Sequence, residues 1–405
     1  MSYIPVSPPA APPQGATPPF SLTEARSLVR DLFAPREWIY WVDFLTTILA
    51  GHALYGLTRV LYDIHLEPLW LRLAIQAVTF SLTCICYYRA VMFVHELVHL
   101  PEKRFRAFRF VWNLLCGIPF LVPSFTYYPH LDHHRRKMFG TAHDGEYLPL
   151  ARMSPWWIAL YLSQCLWAPP LAVIRFGILT PLTWFSPALR RLVHRHASSL
   201  VMDPTYLRPL PTAAAQRIIF CQELACFLFL AACAIVPPVF LNRWPIPFVI
   251  QAYATGVVLV FLNAVRTLAS HRWWSDGEEG SFIDQMLDSV TMDNDSLAAI
   301  LINPVGLRYH ATHHLFPSMP YHNMRSAHRR LMEHLPADSL YRQSVGTSVW
   351  GTIGDLWRRA ASRELAPPMP ARSPQPQQQP AATSHSSADR SPSSPRSRSL
   401  ESSHA

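Results

Sequence analysis

Four stretches of the chain stay apolar over a length that suits a bilayer: Trp38–Leu61, Leu69–Val94, Ile218–Leu241 and Pro247–Val265. A helix needs about 20 such residues to cross the hydrocarbon core. Only the short segment 62–68 separates the first stretch from the second, and only "NRWPI" separates the third from the fourth, so two helical hairpins are predicted. Asp43 falls inside the first stretch, while Arg72 and Arg89 lie near the ends of the second, where long side chains reach the interface. Two further apolar stretches read differently. Val111–Pro123 is too short to span, and Trp156–Phe185 is interrupted by Pro169, Pro170 and Arg175. Both are expected to be interfacial or re-entrant. The fold class is therefore an all-α integral membrane bundle, with about four transmembrane helices, interfacial helices and a histidine-rich cap.

The two ends of the chain have another character. Residues 1–20 are proline-rich, with no charged segment leading into an apolar one, so no cleavable signal peptide is expected. Residues 366–405 are rich in Pro, Ser, Gln and Arg and cannot bury enough apolar surface to offset chain entropy. Both ends are expected to be disordered. The membrane domain is then 21–365, and His385 and His404 in the tail carry no site.

Composition agrees with a membrane protein. Hydrophobic residues make up 50% and charged residues 15%, below the roughly 25% of soluble domains. The formal charge of +9 does not point to nucleic acid, because the basic residues fall between apolar runs and in the tail rather than in one stripe. Arg and Lys cluster at 26–36, 103–109, 135–137, 190–195, 266–272 and 325–330, and two hairpins bring these segments to one side. By the positive-inside bias that side is the cytoplasm, with both termini on it. The seven cysteines all sit in apolar segments without metal or redox spacing and are expected to be packing residues.

The chemistry lies in the histidines. HELVH at 95–99 places His95 and His99 one helical turn apart, HLDHH gives His130, His133 and His134, and HATHH gives His310, His313 and His314. Positions i, i+3 and i+4 share one helix face, so each group should converge. Packing offers no reason to gather eight ionisable rings at one rim, since their desolvation is costly unless something binds them. Taken alone, HELVH also fits a zinc hydrolase with Glu96 as general base. A catalytic zinc, however, takes about three protein ligands and keeps one position open. Eight imidazoles suit a dinuclear site better, although imidazole by itself does not choose among iron, copper, nickel and zinc.

Three histidine boxes of this form resemble the membrane fatty acid desaturase superfamily, over roughly residues 38 to 340. The resemblance implies two iron ions, O2 as co-substrate, and His95, His99, His130, His133, His134, His310, His313 and His314 as ligands. "NAVRTLASHRWW" supplies His271 where the family often has a ninth ligand, and Asn263 and Thr267 precede it as candidates to hold a water. His143, Asp144 and Glu146 in "HDGEY" are candidate partners that orient ligand imidazoles. "GTAHDGEYLP", "QMLDSV" and "GLRYHATHHLFPSMPYHNM" look like a bacterial-type branch that includes decarboxylases forming terminal alkenes. His322 is not taken as a ligand, and His52, His65, His194, His196, His328 and His334 are given no site role.

The implied activity is oxidation of a fatty acyl chain, with desaturation placed first, and decarboxylation to a terminal alkene or hydroxylation as alternatives that the same ligands would serve. Arg135, Arg136, Lys137 and Arg266 are candidate contacts for an acidic head group. No phosphate loop, dinucleotide fingerprint or iron–sulfur spacing is visible, so a separate ferredoxin or cytochrome-type donor with its reductase is implied. The expected location is a bacterial inner membrane, with the histidine boxes facing the cytoplasm.

Overall fold

The computed structural model describes residues 20–64, 67–240, 242 and 244–362. The expected disordered segments therefore lie outside the described residues, apart from Phe20, and so does His65. Among the described residues the chain is helical, with three isolated β-bridges and no strand.

Five helices are long and apolar enough to cross a membrane: α1 (Glu37–Asp63), α2 (Leu69–His99), α3 (Trp156–Thr183), α4 (Ala213–Phe240) and α5 (Ile246–Ser270). The protein is an integral membrane helical bundle. By length and apolarity the count is one more than the four expected, and the addition is α3. Because α2 and α5 finish at the same end of the bundle, an even number of crossings separates their ends, so α3, α4 and α5 do not all cross. The proline pair of α3 was read as an interruption, yet the helix runs through both residues and continues past a π-helical turn at Ile174–Leu179. Tertiary partners make this possible. Proline at 170 cannot donate to the carbonyl of Leu166, and the Tyr253 hydroxyl of α5 donates to that oxygen instead, at 3.0 Å. Arg175 is buried but matched, donating to Glu223 of α4, the Ser198 and Thr180 hydroxyls and the Ala197 carbonyl.

The expected hairpin of α1 and α2 is tightly packed. The helices approach closely at Gly51, where a Cβ would stand 2.6 Å from the Tyr87 ring. Arg89 does not reach for the interface. Its guanidinium forks onto Asp43 of α1 at 2.8 and 2.5 Å, and the Tyr321 hydroxyl donates to the same carboxylate at 2.6 Å. A polar residue in each helix thus becomes one cross-link. The 106–123 segment inserts beside this hairpin as far as His52 and Tyr87, which meet the Leu115 carbonyl and the Phe120 ring, and turns at Leu121 with a positive φ of 58°.

Four segments converge at the end of the bundle where α2 and α5 finish. They are the last turn of α2, the short helix His130–His133, the residue after α5, and the short helix His310–Leu315. An aromatic layer of Tyr40, Phe93, Phe105, Phe108 and Tyr321 packs beside them through edge-on contacts. Apolar side chains from Met286, Leu315, Phe316 and Met324 close the other flank.

Candidate metal centre

The histidines of the boxes do not form three separate sites. They sort into two groups whose ligand atoms lie within 4.8 Å of one another: His95, His99, His130, His134 and His313, and His133, His271, His310 and His314. Each group draws on several segments. The second and third boxes each divide between the groups, contrary to the expectation that three histidines of one helical turn would converge. The short helices direct His133 one way and His130 and His134 the other, and likewise separate His313 from His310 and His314. The groups also touch, the His134 and His314 rings standing 4.4 Å apart.

Hydrogen bonding fixes which ring nitrogens face inward. His133 Nδ1 pairs with Asp144 Oδ2 at 2.8 Å, His130 Nδ1 with Glu146 Oε2 at 2.9 Å, and His271 Nδ1 with Asp288 Oδ2 at 3.0 Å. A carboxylate accepts, so each of these rings carries its proton on Nδ1 and presents a bare Nε2. Yet His133 Nε2 lies 3.3 Å from His271 Nε2. His310 Nε2 lies 2.9 Å from His271 Nε2, and His134 Nε2 lies 3.0 Å from both His130 Nε2 and His313 Nε2. In the His133–His271 pair both Nε2 atoms are bare, and lone pairs facing at that separation repel unless a cation sits among them. Both ring nitrogens of His95 and Nε2 of His99 are buried with no hydrogen-bond partner among the described residues. These donors fit metal ions, one to each group, and a buried apolar core offers no other use for them.

The electrostatics agree. Burial, reinforced by the neighbouring imidazoles, holds His134, His310, His313 and His314 well below the ordinary imidazole range, leaving them neutral with a lone pair free. Burial pulls His133 the same way, but Asp144 overrides it and raises that ring. Seven of the nine rings are buried, while His99 and His134 are partly exposed.

Asp144 and Glu146 therefore stand where the sequence placed them, against ligand-type imidazoles. His143 does not; it is exposed, and its backbone N–H donates to the Thr141 hydroxyl. Asp288 was not singled out from the sequence, although "QMLDSV" contains it. Besides His271 it accepts from the Tyr147 hydroxyl at 2.9 Å and the Trp274 amide at 3.1 Å. Asn263 accepts from Arg266 at 3.3 Å, and Thr267 interacts with Tyr161. His322 accepts from the Arg36 amide, outside both groups. His52, His194, His328 and His334 bond to Tyr87, Pro209, Tyr341 and Arg330, as expected of rings with no site role.

Glu96 decides the meaning of HELVH. Its carboxylate accepts from the Tyr40 hydroxyl at 2.8 Å and the Tyr321 amide at 3.1 Å, which ties α2 to α1 and to the Tyr321–His334 helix. Its Oε2 is spent on packing, and the two histidines of the motif belong to a five-imidazole group rather than to a three-ligand zinc site.

A helical membrane bundle that closes over two adjoining imidazole clusters defines a class, and comparison with known proteins names it. Residues 68–346 match the family model described as fatty acid desaturase, and the chain belongs to that family. It is a membrane oxidoreductase of that family. A curated relative, "Ceramide hydroxylase" from Caulobacter vibrioides (strain NA1000 / CB15N), is 37% identical over 347 residues, which cover 85% of this chain and 95% of the relative.

Proposed function

We propose that the protein is a diiron monooxygenase that hydroxylates a ceramide-type lipid within the membrane. The observation that carries the metal count is the division of nine imidazoles into adjoining groups of five and four. The similarity to a protein named for ceramide hydroxylation, over nearly that protein's whole length, favours oxygen insertion. Desaturation, placed first from the sequence, is the second reading and draws support from the family description alone.

When bound, two irons would supply the oxidising power to cleave an unactivated C–H bond with O2. The reaction balances as R–H plus O2, two electrons and two protons giving R–OH and water. His95, His99, His130, His134 and His313 would hold one ion, and His133, His271, His310 and His314 the other. Asp144, Glu146 and Asp288 keep three of those rings in the tautomer that binds metal and fix their planes. The apolar helices supply the dry surroundings and the path for an acyl tail. Electrons enter from a separate single-electron carrier with its reductase. The histidine end faces the cytoplasm of a bacterial inner membrane, the side that the basic clusters favour.

The test is expression in a bacterial host that lacks ceramides, supplied with an N-acyl sphinganine under isotopically heavy O2. Mass spectrometry should find a product that has gained one heavy oxygen atom, absent from His313→Ala cells. A product that has lost two hydrogens and gained no label would establish desaturation instead.

A further inference from the structure

Arg266 of α5 lies five residues before His271 and is 6% exposed. A guanidinium so deeply buried normally has a carboxylate, as Arg175 has Glu223. Arg266 forms no such pair among the described residues. Its Nη2 reaches Asn263 at 3.3 Å and its guanidinium also bonds to the Tyr88 and Tyr127 hydroxyls, but its Nε is buried without a partner. Glu146 shows the reverse deficiency. Its Oε2 accepts from His130, while its Oε1 is buried and accepts from nothing. The two side chains interact electrostatically without touching. Glu146 bonds to His130, and Arg266 bonds to Tyr127, whose ring stacks on His130 at 4.8 Å.

An unmatched donor and an unmatched acceptor beside one metal-ligand ring form a recognisable pattern. A neutral group that accepts on one side and donates on the other satisfies both; a carboxylate, which only accepts, satisfies Arg266 and leaves Glu146 Oε1 unmatched. We propose that Arg266 and Glu146 form a head-group subsite for a lipid amide, whose carbonyl accepts from Arg266 while its N–H or a neighbouring hydroxyl donates to Glu146. The proposal rests on the lipid-hydroxylase reading for the presence of a lipid there, and it adds that an amide lipid is chosen over a free fatty acid. Because Glu146 bonds directly to His130, the carbons nearest the amide are the ones that reach the centre.

The test measures binding without turnover. Metal-loaded protein in lipid nanodiscs, kept free of O2 and reductant, is titrated with radiolabelled N-acyl sphinganine and then competed with the free fatty acid of the same acyl chain. The acid should bind about tenfold or more weakly. Arg266→Gln should weaken the amide lipid about tenfold with metal content unchanged, and Arg266→Lys should recover part of the loss. Equal affinity for amide and acid overturns the subsite. So does wild-type lipid binding by Arg266→Gln, which would mean that only water fills the gap, and so does loss of metal along with lipid, which would make Arg266 structural. A new hydroxyl in the middle of the acyl chain, mapped by tandem mass spectrometry, also contradicts it. Amide preference with a desaturated product would sink the hydroxylase reading alone, and hydroxylation without that preference would sink the subsite alone.

Discussion

Asp288→Asn separates the two halves of the metal centre. One carboxylate oxygen accepts from Tyr147 and Trp274, and the other takes the His271 Nδ1 proton. Asparagine keeps a single acceptor, and two donors already claim it. The new amide N–H groups then face His271 Nδ1, so the ring must move its proton to Nε2, the atom that binds metal. A charge-assisted hydrogen bond of about 1.5–3 kcal/mol is lost, equivalent to about 10- to 100-fold in metal affinity. His271 belongs to the four-imidazole group only. Metal analysis of purified protein against a graded chelator should therefore show wild type holding two ions over a range in which Asp288→Asn holds one. Asp144→Asn should act on the same ion through His133. Glu146→Gln should act on the other through His130. Simultaneous loss of both ions in all three variants, or no loss in any, would refute the reasoning.

Further predictions concern residues away from the metals. Asp43→Ala leaves Arg89 and the Tyr321 hydroxyl without their acceptor and should cost about 2 kcal/mol, read as a lower melting temperature in detergent; an unchanged melt would show that the cross-link contributes nothing. Gly51→Leu drives a side chain into the Tyr87 ring and should destabilise by about 1–3 kcal/mol in the same melt, whereas wild-type stability would mean that α1 and α2 can separate freely. Glu96→Gln keeps an oxygen for Tyr40 and Tyr321, so metal content and product formation should stay within a few-fold of wild type; complete loss of activity with metal retained would revive the hydrolase mechanism.

Eight of the nine histidines that the fold gathers stood out in the sequence because box spacing is local, a helical turn being enough to pair His95 with His99; the ninth, His271, stands alone and was named only through the family resemblance. Their division was not legible, because it depends on how two short helices are set against each other, and sequence separation says nothing of that. Asp144 and Glu146 were found through their closeness to the second box. Asp288 was missed because it meets His271 through a turn of the fold, 17 residues away. The unexpected continuity of α3 through its prolines has a similar origin. Two prolines and an arginine look disruptive in one dimension, and the groups that satisfy them, Tyr253 and Glu223, sit on helices that come later in the chain. Arg89 was misplaced at the interface because its partner Asp43 belongs to another helix.

Metal-resolved structure determination tests the central claim most directly. Anomalous scattering at the iron edge, on protein purified from iron-supplied cells, should give two peaks per chain, one inside each imidazole group. A single peak, or a lone zinc between His95 and His99, would contradict it.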